Sequence, residues 1–199
     1  MTEKEKYEKV WQNPEYGAHS PGLAAIPDFA EKFDLEENDR ILDIGCGTGD
    51  AVYVLRETYN CDAYGLDIAE NAIDQSYHSL YPNKWFIQDL NTFVYRHLEW
   101  DYIFSADVFE HLPTLSVRAV LPKILTKYRK GIYLQIALYP DRIGRWGIEE
   151  PLHLTVKPEL WWKELLGDGN YTVTKDHKLT FWKGGDNDRG SYPEPSRRI

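Results

Sequence analysis

An apolar run that ends in closely spaced glycines constrains the fold of this chain more than any other segment. The run is Ile41-Leu42-Asp43-Ile44, and Gly45, Gly47 and Gly49 follow it at once. Glycine tolerates positive φ and lacks a side chain, so the backbone of such a turn can approach a ligand closely. If a helix begins after the turn, its free N–H groups add a partial positive charge there. The segment therefore predicts a strand, a ligand-binding turn and a helix in succession.

The segments around this turn alternate between short apolar runs and helical patterns. Such alternation predicts a parallel sheet that is covered by helices on both faces. Pro122 lies inside the third helical pattern and predicts a kink or a late start there. The patterns predict strands over residues 40–45, 62–67, 84–88, 101–105 and 131–138, helices over 51–58, 70–80, 117–128 and near 158–166, and a final hairpin from runs 171–174 and 179–182.

The two ends of the chain differ from this central pattern. Tyr7, Trp11 and Tyr16 are spaced so that one helical stripe extends to Trp11, and Pro14 and Gly17 are expected to break it. This helical region, residues 1–37, is predicted either to pack on the domain or to form a lid over a ligand site. Residues 184–199 are rich in Gly, Pro, Ser and charges, so they are predicted to be a loose tail after one domain at 1–183.

Composition narrows the class of protein. The 199 residues carry a formal net charge of −9 and are 42% hydrophobic, which favours a folded domain and disfavours nucleic-acid binding. Cys46 and Cys61 are too few for a disulfide framework and are typical of free thiols in a reducing compartment. The charged N-terminus is unlike a signal peptide, and no apolar run is long enough for a membrane helix. We therefore expect a cytoplasmic protein, monomeric or homodimeric, without membrane or nucleic-acid partners.

Two acidic residues stand where the second and third predicted strands end. Asp67 closes the second strand and can accept hydrogen bonds from both hydroxyls of a ribose. Asp89 follows the third strand, where its carboxylate can accept from the amine of adenine while Leu90 offers a backbone N–H. Because the carboxyl ends of parallel strands meet at one crevice, these acids and the glycine turn are expected to share a ligand site.

These segments resemble the motifs of class I S-adenosylmethionine-dependent methyltransferases of the small-molecule type. Residues 41–49 resemble the first motif, 64–68 the second, 86–90 the third and 101–113 the fourth, which ends in Glu-His-Leu. The resemblance covers roughly residues 38–136 and implies a three-layer α/β sandwich, with a mostly parallel, doubly wound seven-stranded sheet and an antiparallel C-terminal hairpin. It implies S-adenosyl-L-methionine as cofactor, bound by Asp43, Gly45, Cys46, Gly47, Gly49, Asp67, Ile68, Asp89, Leu90, Ala106 and Asp107.

Electrostatics favours this cofactor over a dinucleotide. The turn has Gly-x-Gly-x-Gly spacing rather than Gly-x-Gly-x-x-Gly, and Asp50 at the helix start would repel a pyrophosphate. Asp43, just before the turn, suits a cationic ammonium group. The sequence thus predicts an enzyme that methylates an oxygen or nitrogen of a metabolite or saccharide. Two alternatives remain: a non-catalytic S-adenosylmethionine-binding partner or regulatory protein, and an NAD-dependent oxidoreductase.

The acceptor side is less defined by the sequence. His111 after the fourth strand and His153 after the fifth are candidate general bases, although either could instead brace a loop. His19 is a weaker third candidate. No cysteine or histidine cluster has zinc spacing, so no metal is predicted. The connection after the fifth strand suits a polar acceptor such as a sugar, amine or carboxylate, unless it is a solvated loop; its candidate residues are Tyr139, Arg142, Arg145, Trp146, Glu149 and Glu150.

Overall fold

A seven-stranded sheet forms the centre of the computed structural model, which describes residues 1–93 and 100–185. The strand order is β3-β2-β1-β4-β5-β7-β6. The first five strands run parallel, whereas β7 pairs antiparallel with both β5 and β6. This confirms the predicted fold class. The strands are β1 (Arg40–Ile44), β2 (Asp62–Asp67), β3 (Trp85–Ile87), β4 (Trp100–Ala106), β5 (Tyr128–Ala137), β6 (Asn170–Val173) and β7 (Lys178–Gly184).

Helices flank the sheet and begin at residues that satisfy free backbone groups. Thr2 and Glu5 form a capping box at the first helix, and the Ser20 side chain accepts from Leu23 N at the third. The α-helices are α1 (Glu3–Val10), α2 (Pro14–Gly17), α3 (Pro21–Lys32), α4 (Asp50–Glu57), α5 (Gln75–Leu80), α6 (Thr114–Ile124) and α7 (Glu159–Leu166), with 3-10 turns at Glu70–Ala72 and Phe109–His111.

The two faces of the sheet carry separate apolar clusters. On one face, Trp100 and Ile103 pack with residues of α6 and α7, including Trp162. On the other face, Phe104 and Tyr133 pack with α3 and α4. All seven residues of β4 are buried, as expected for a central parallel strand covered on both sides. The sheet therefore has a rigid centre whose carboxyl edge is available for a site.

Three local predictions differ from the structure. The helix expected over residues 117–128 begins earlier, at Thr114, and ends at Ile124, with Pro122 in its last turn. Tyr128 instead starts β5 because it pairs with Trp100 of β4. The helix expected over residues 70–80 is divided into a 3-10 turn and α5, since Asp74 caps α5 by accepting from Ser76 N.

The terminal predictions have mixed outcomes. α1 ends at Val10, close to the expected end of the aromatic stripe, but Pro14 and Gly17 bound the short helix α2 rather than only breaking helical structure. Proline is tolerated in a first helical turn, where its missing N–H has no partner to lose. Of the predicted tail, Gly184 ends β7 and residues 186–199 lie outside the described residues. No helix in the described ranges combines the length and the apolar character needed to cross a bilayer.

Candidate functional site

A cavity of about 640 Å³ lies at the carboxyl edge of the sheet. Its walls come from the turn after β1, the ends of β2, β3 and β4, the N-terminal helices and the connection between β5 and α7. The predicted cofactor-binding residues line it except Gly49, and so do the candidate bases His111 and His153. Strand ends that are distant in the chain thus meet at one concave surface, as the topology requires.

The conformation and close contacts of the turn favour glycine at its three glycine positions. Gly45, Gly47 and Gly49 have φ values of 73°, 52° and 87°. A Cβ on Gly45 would lie 2.2 Å from Val108 Cγ2, and one on Gly47 would lie 3.0 Å from the Trp11 ring. Gly49 precedes α4 and is buried under Trp85. Its role is therefore to allow the backbone conformation of the turn. Of the three turn glycines, Gly45 and Gly47 line the cavity.

Asp43 places a carboxylate below this turn. The residue is only 2% exposed, and within the described ranges its Oδ2 has no hydrogen-bond partner. Burial, with a smaller contribution from the nearby Asp67, raises the pKa of Asp43 to about 8. A buried carboxylate without a partner is costly unless a cation or a proton accompanies it. The carboxyl group of Asp43 therefore fits a cationic group of a ligand in this cavity.

The carboxylate of Asp67 at the end of β2 is held by two backbone amides. Oδ2 accepts from Gly47 N at 2.9 Å, and Oδ1 accepts from Ala69 N at 2.9 Å. Burial raises the pKa of Asp67, while these hydrogen bonds act in the opposite direction. Each carboxylate oxygen has a second acceptor position, so the fixed group can still accept from ligand hydroxyls. Ile68 and buried Cys46 line the cavity beside it.

The end of β3 supplies the next part of the wall. Asp89 Oδ1 accepts from the backbone N and the side-chain Nδ2 of Asn91, both at 2.8 Å. Leu90 is buried in the larger apolar cluster and also lines the cavity. The loop is therefore stabilised by hydrogen bonds of its own side chains. Asp89 and Leu90, which are predicted from the sequence to bind adenine, both lie in this wall.

At the end of β4, Ala106 and Asp107 reach the cavity. Asp107 has a φ of 55°, and its Oδ2 accepts from Lys178 Nζ of β7 at 2.5 Å. Its Oδ1 is buried and has no partner among the residues that the structure describes. The ion pair with Lys178 was not foreseen, because the two residues belong to strands that are separated by β5 in the sheet.

Two histidines and a tyrosine meet at the other side of the cavity. The hydroxyl of Tyr7 lies 2.9 Å from His111 Nδ1, and the rings of His111 and His153 are 4.7 Å apart in an edge-to-face arrangement. His153 Nδ1 lies 2.6 Å from the carbonyl oxygen of Tyr139. A carbonyl can only accept, so Nδ1 of His153 carries a proton and Nε2 has the free lone pair in the neutral ring. The predicted histidines are therefore brought together.

Burial, followed by the proximity of His153, lowers the pKa of His111 to about 3. His111 is consequently neutral at neutral pH. Asp141 fixes the backbone at His153. Its carboxylate accepts hydrogen bonds from the backbone N of Leu152 at 2.8 Å and of His153 at 3.0 Å. Sequence reasoning assigned no site role to Tyr7 or Asp141, since neither lies in a motif; only the aromatic stripe pointed to Tyr7.

The N-terminal helices cover this side of the cavity. Val10 packs with Ile148 and Leu152 of the connection after β5, and the rings of Tyr16 and Trp146 are 5.1 Å apart. Movement of this region as a lid stays a prediction. Of the candidate residues in the connection, Tyr139, Arg142, Arg145 and Trp146 line the cavity, as does His19 from the N-terminal region, whereas Glu149 and Glu150 are exposed and do not line it.

Comparison with known proteins finds similarity in the central region of the chain. Residues 41–131 match the model of the methyltransferase domain family. A phosphoethanolamine N-methyltransferase of Triticum aestivum is 28% identical over 111 residues, which are 54% of this chain and 22% of the relative. The Plasmodium falciparum phosphoethanolamine N-methyltransferase is 29% identical over 96 residues, 47% of this chain and 36% of the relative. The chain thus spans only about a fifth to a third of these relatives.

Solved structures share the fold over most of the chain. A Pyrococcus horikoshii protein superposes with a TM-score of 0.65 at 14% identity, covering 81% of this chain and 88% of its own. The magnesium protoporphyrin IX methyltransferase of Synechocystis, crystallised with S-adenosylmethionine, has a TM-score of 0.59 at 16% identity and covers 89% and 84%. At these identities the likeness establishes the architecture of the sheet and its flanking helices.

Proposed function

We propose that this chain, a class I S-adenosylmethionine-dependent methyltransferase by its domain and its fold, transfers a methyl group to an oxygen or nitrogen of a small molecule. The observation that carries the proposal is one cavity that joins the glycine turn and its acids to the Tyr7, His111 and His153 group. A cofactor site and a nucleophile site must share such a space, because an in-line displacement requires the two reactants to be aligned.

The residues present fit S-adenosylmethionine. The unpartnered Asp43 carboxyl group suits the ammonium of its amino-acid part, and Gly45 and Gly47 leave room for that part, beside Cys46, Ala106 and Asp107. The fixed carboxylate of Asp67, next to Ile68, suits the ribose hydroxyls, and Asp89 with Leu90 suits the adenine. When bound, the cofactor supplies an electrophilic methyl group on a sulfonium, which carries the driving force of the reaction.

On the acceptor side, the protein positions the nucleophile and excludes water. His153 offers Nε2 as a proton acceptor, since its Nδ1 proton is donated to the Tyr139 carbonyl. His111 is neutral, contacts the Tyr7 hydroxyl, and lies against the His153 ring. The arginines and aromatic rings of the same wall suit a polar acceptor. The names of the curated relatives support a small molecule, and the acidic net charge disfavours a nucleic acid.

The same chemistry is proposed to occur in the cytoplasm. Both cysteines are free and buried, which agrees with a reducing compartment.

The test combines binding with transfer. Titration calorimetry is expected to show one S-adenosylmethionine site per chain and no comparable heat with NAD. The protein is then incubated with methyl-labelled cofactor and a small-molecule fraction of cell extract, and labelled products are identified by mass. Labelled small molecules that depend on active protein support the proposal. Binding without transfer into any fraction would favour the non-catalytic alternative, and binding of NAD alone would favour the oxidoreductase.

A further inference from the structure

Three potential metal ligands converge at the histidine side of the cavity. Glu110 and His111 belong to the 3-10 turn after β4, and His153 belongs to the connection after β5. One ligand atom from each of the three side chains lies within 4.8 Å of the others. The spacing in the sequence gave no sign of this group, because the ligands come from two segments that only the fold brings together.

The two carboxyl oxygens of Glu110 differ in their hydrogen bonding. The residue is 0% exposed, and its Oε1 accepts from the backbone N of Ala137 at 2.8 Å. Its Oε2 is buried and has no hydrogen-bond partner in the described part of the chain. An anionic oxygen in such a place is unfavourable unless a cation or a proton accompanies it. The hydrogen bond from Ala137 fixes the group so that the free oxygen has a defined position.

Each imidazole has a polar partner at Nδ1, the ring nitrogen that would not bind an ion held through Nε2. In metal sites the ring nitrogen that does not bind the ion usually donates to a protein oxygen, which fixes the tautomer and the ring orientation. His153 Nδ1 donates to the carbonyl oxygen of Tyr139, and His111 Nδ1 contacts the Tyr7 hydroxyl.

We propose that Glu110, His111 and His153 bind a divalent first-row transition metal ion, with Zn²⁺ as the best-fitting occupant. Two imidazoles and one carboxylate suit Zn²⁺, Co²⁺ or Fe²⁺, whereas Mg²⁺ and Ca²⁺ prefer oxygen ligands. Three protein ligands leave a coordination position open, and both histidines line the cavity. The ion is therefore accessible to small molecules that enter the cavity.

Metal binding at this site can be tested separately from the proposed methyl transfer. Its ligands are residues of this chain alone, so binding is measured without cofactor or acceptor. If an ion occupies the site, it uses the lone pair of His153 that would otherwise accept a proton, so the two roles of that ring are alternatives. A failure of metal binding leaves the transfer proposal intact, and an absence of transfer leaves the metal site intact.

The experiment uses the full chain after treatment with a chelator. Co²⁺ is added in the absence of cofactor, and its visible absorption reports coordination; Zn²⁺ is then added to displace it. We expect one equivalent of Co²⁺, displaced by Zn²⁺. The variants Glu110→Gln and His153→Ala are each expected to bind Co²⁺ at least tenfold more weakly. Glu110→Gln keeps an oxygen for Ala137 N, so it retains the local fold. His78→Ala, on the exposed surface of α5, is the matched control and is expected to bind like the unmodified chain.

Thermal unfolding of each variant verifies that it is folded before its affinity is compared. Weaker binding by folded Glu110→Gln and His153→Ala, with unchanged binding by His78→Ala, supports the site. The proposal is overturned if the unmodified chain takes up less than a tenth of an equivalent, or if Glu110→Gln and His153→Ala both bind as tightly as it does. Equal weakening by His78→Ala would likewise overturn it, because it would show binding to surface histidines.

Discussion

The two sides of the cavity are built in different ways. The glycine side depends on backbone shape, on the buried carboxyl group of Asp43 and on the carboxylate of Asp67, which is held by backbone amides. The histidine side depends on side chains that come from distant segments and are held by tertiary packing. The glycine side consists of Asp43, Gly45, Gly47 and Asp67, and the histidine side consists of Tyr7, His111 and His153.

This difference shows which parts of a site a local sequence pattern can specify and which parts depend on tertiary contacts. Asp43 to Asp67 form one continuous stretch of β1, turn, α4 and β2, so a local pattern is enough to specify their geometry. Tyr7 reaches His111 across 104 positions of sequence, and tertiary contacts such as the packing of Val10 against Ile148 and Leu152 hold the helix there. We therefore expect changes on the glycine side to weaken or abolish ligand binding and changes on the histidine side to affect the rate of reaction.

The largest effect is expected from Gly45→Ala. The new Cβ would lie 2.2 Å from Val108 Cγ2, and the φ of 73° is unfavourable for alanine. We expect a loss of about 2–4 kcal/mol in the free energy of unfolding and no measurable S-adenosylmethionine binding. Denaturant titration and calorimetry measure these two quantities.

Gly144→Ala is the matched control for this change. Gly144 has a φ of 81°, but a Cβ there would meet nothing within 4 Å. It is expected to lose only about 1 kcal/mol, from backbone strain alone, and to bind the cofactor normally. If the two variants behaved alike, the close approach of Val108 to the turn would have no functional importance.

A pH effect on cofactor affinity should distinguish Asp43 from the rest of the site. Burial raises its pKa from an ordinary value of 3.8 to about 8, so the folded protein keeps a proton that the unfolded chain releases. The contribution of Asp43 to stability therefore falls as pH rises from 4 to 8. A bound ammonium favours the carboxylate, so cofactor affinity should rise between pH 6 and 8, by up to about tenfold per pH unit.

Asp43→Asn isolates this contribution. The amide does not titrate, so the variant is expected to bind more weakly and with little pH dependence over the same range. Calorimetric titrations at pH 6, 7 and 8 compare the two proteins. A pH dependence that survives unchanged in Asp43→Asn would assign it to another group and remove the ammonium role from Asp43.

A smaller loss is expected from Asp67→Asn. The substitution keeps the shape of the side chain but removes its charge and one of the two acceptor oxygens that hold Gly47 N and Ala69 N. Charge-assisted hydrogen bonds contribute about 1.5–3 kcal/mol, so affinity for S-adenosylmethionine should fall roughly 10- to 150-fold. Asp74→Asn, at the exposed cap of α5, is the control and should bind normally. Equal affinities in the two variants would exclude Asp67 from the ribose site.

Prediction from the sequence succeeded where local patterns determine the structure and failed where long-range contacts do. The five parallel strands were predicted because buried strands are continuous apolar runs, and β2 was placed at residues 62–67 as observed. The helix expected through residue 128 was wrong at its end because pairing with Trp100 outweighs the helical spacing of Tyr128. Local propensity does not contain that long-range information.

The same reasoning explains what was missed in the site. Glycines and acids at strand ends can be predicted from the sequence, since their neighbours in sequence are also their neighbours in space. The partners Tyr7 with His111 and Lys178 with Asp107 join separate elements, and Asp141 meets His153 across 12 positions of an irregular connection. No periodicity links such pairs, so they can be found only once the fold is known.

The smallest effect is expected from Tyr7→Phe, and it tests the histidine side alone. The change removes the hydroxyl 2.9 Å from His111 Nδ1 but keeps the ring, so the protein should lose only about 1 kcal/mol of stability. Without this contact the His111 ring is less fixed, and methyl transfer should slow about tenfold while the dissociation constant for S-adenosylmethionine stays within twofold. Tyr53→Phe, whose ring stacks on Tyr77 outside the cavity, is the control and should leave both quantities unchanged. Loss of cofactor binding in Tyr7→Phe would contradict the division between the two sides, because it would make the N-terminal helix part of the cofactor site.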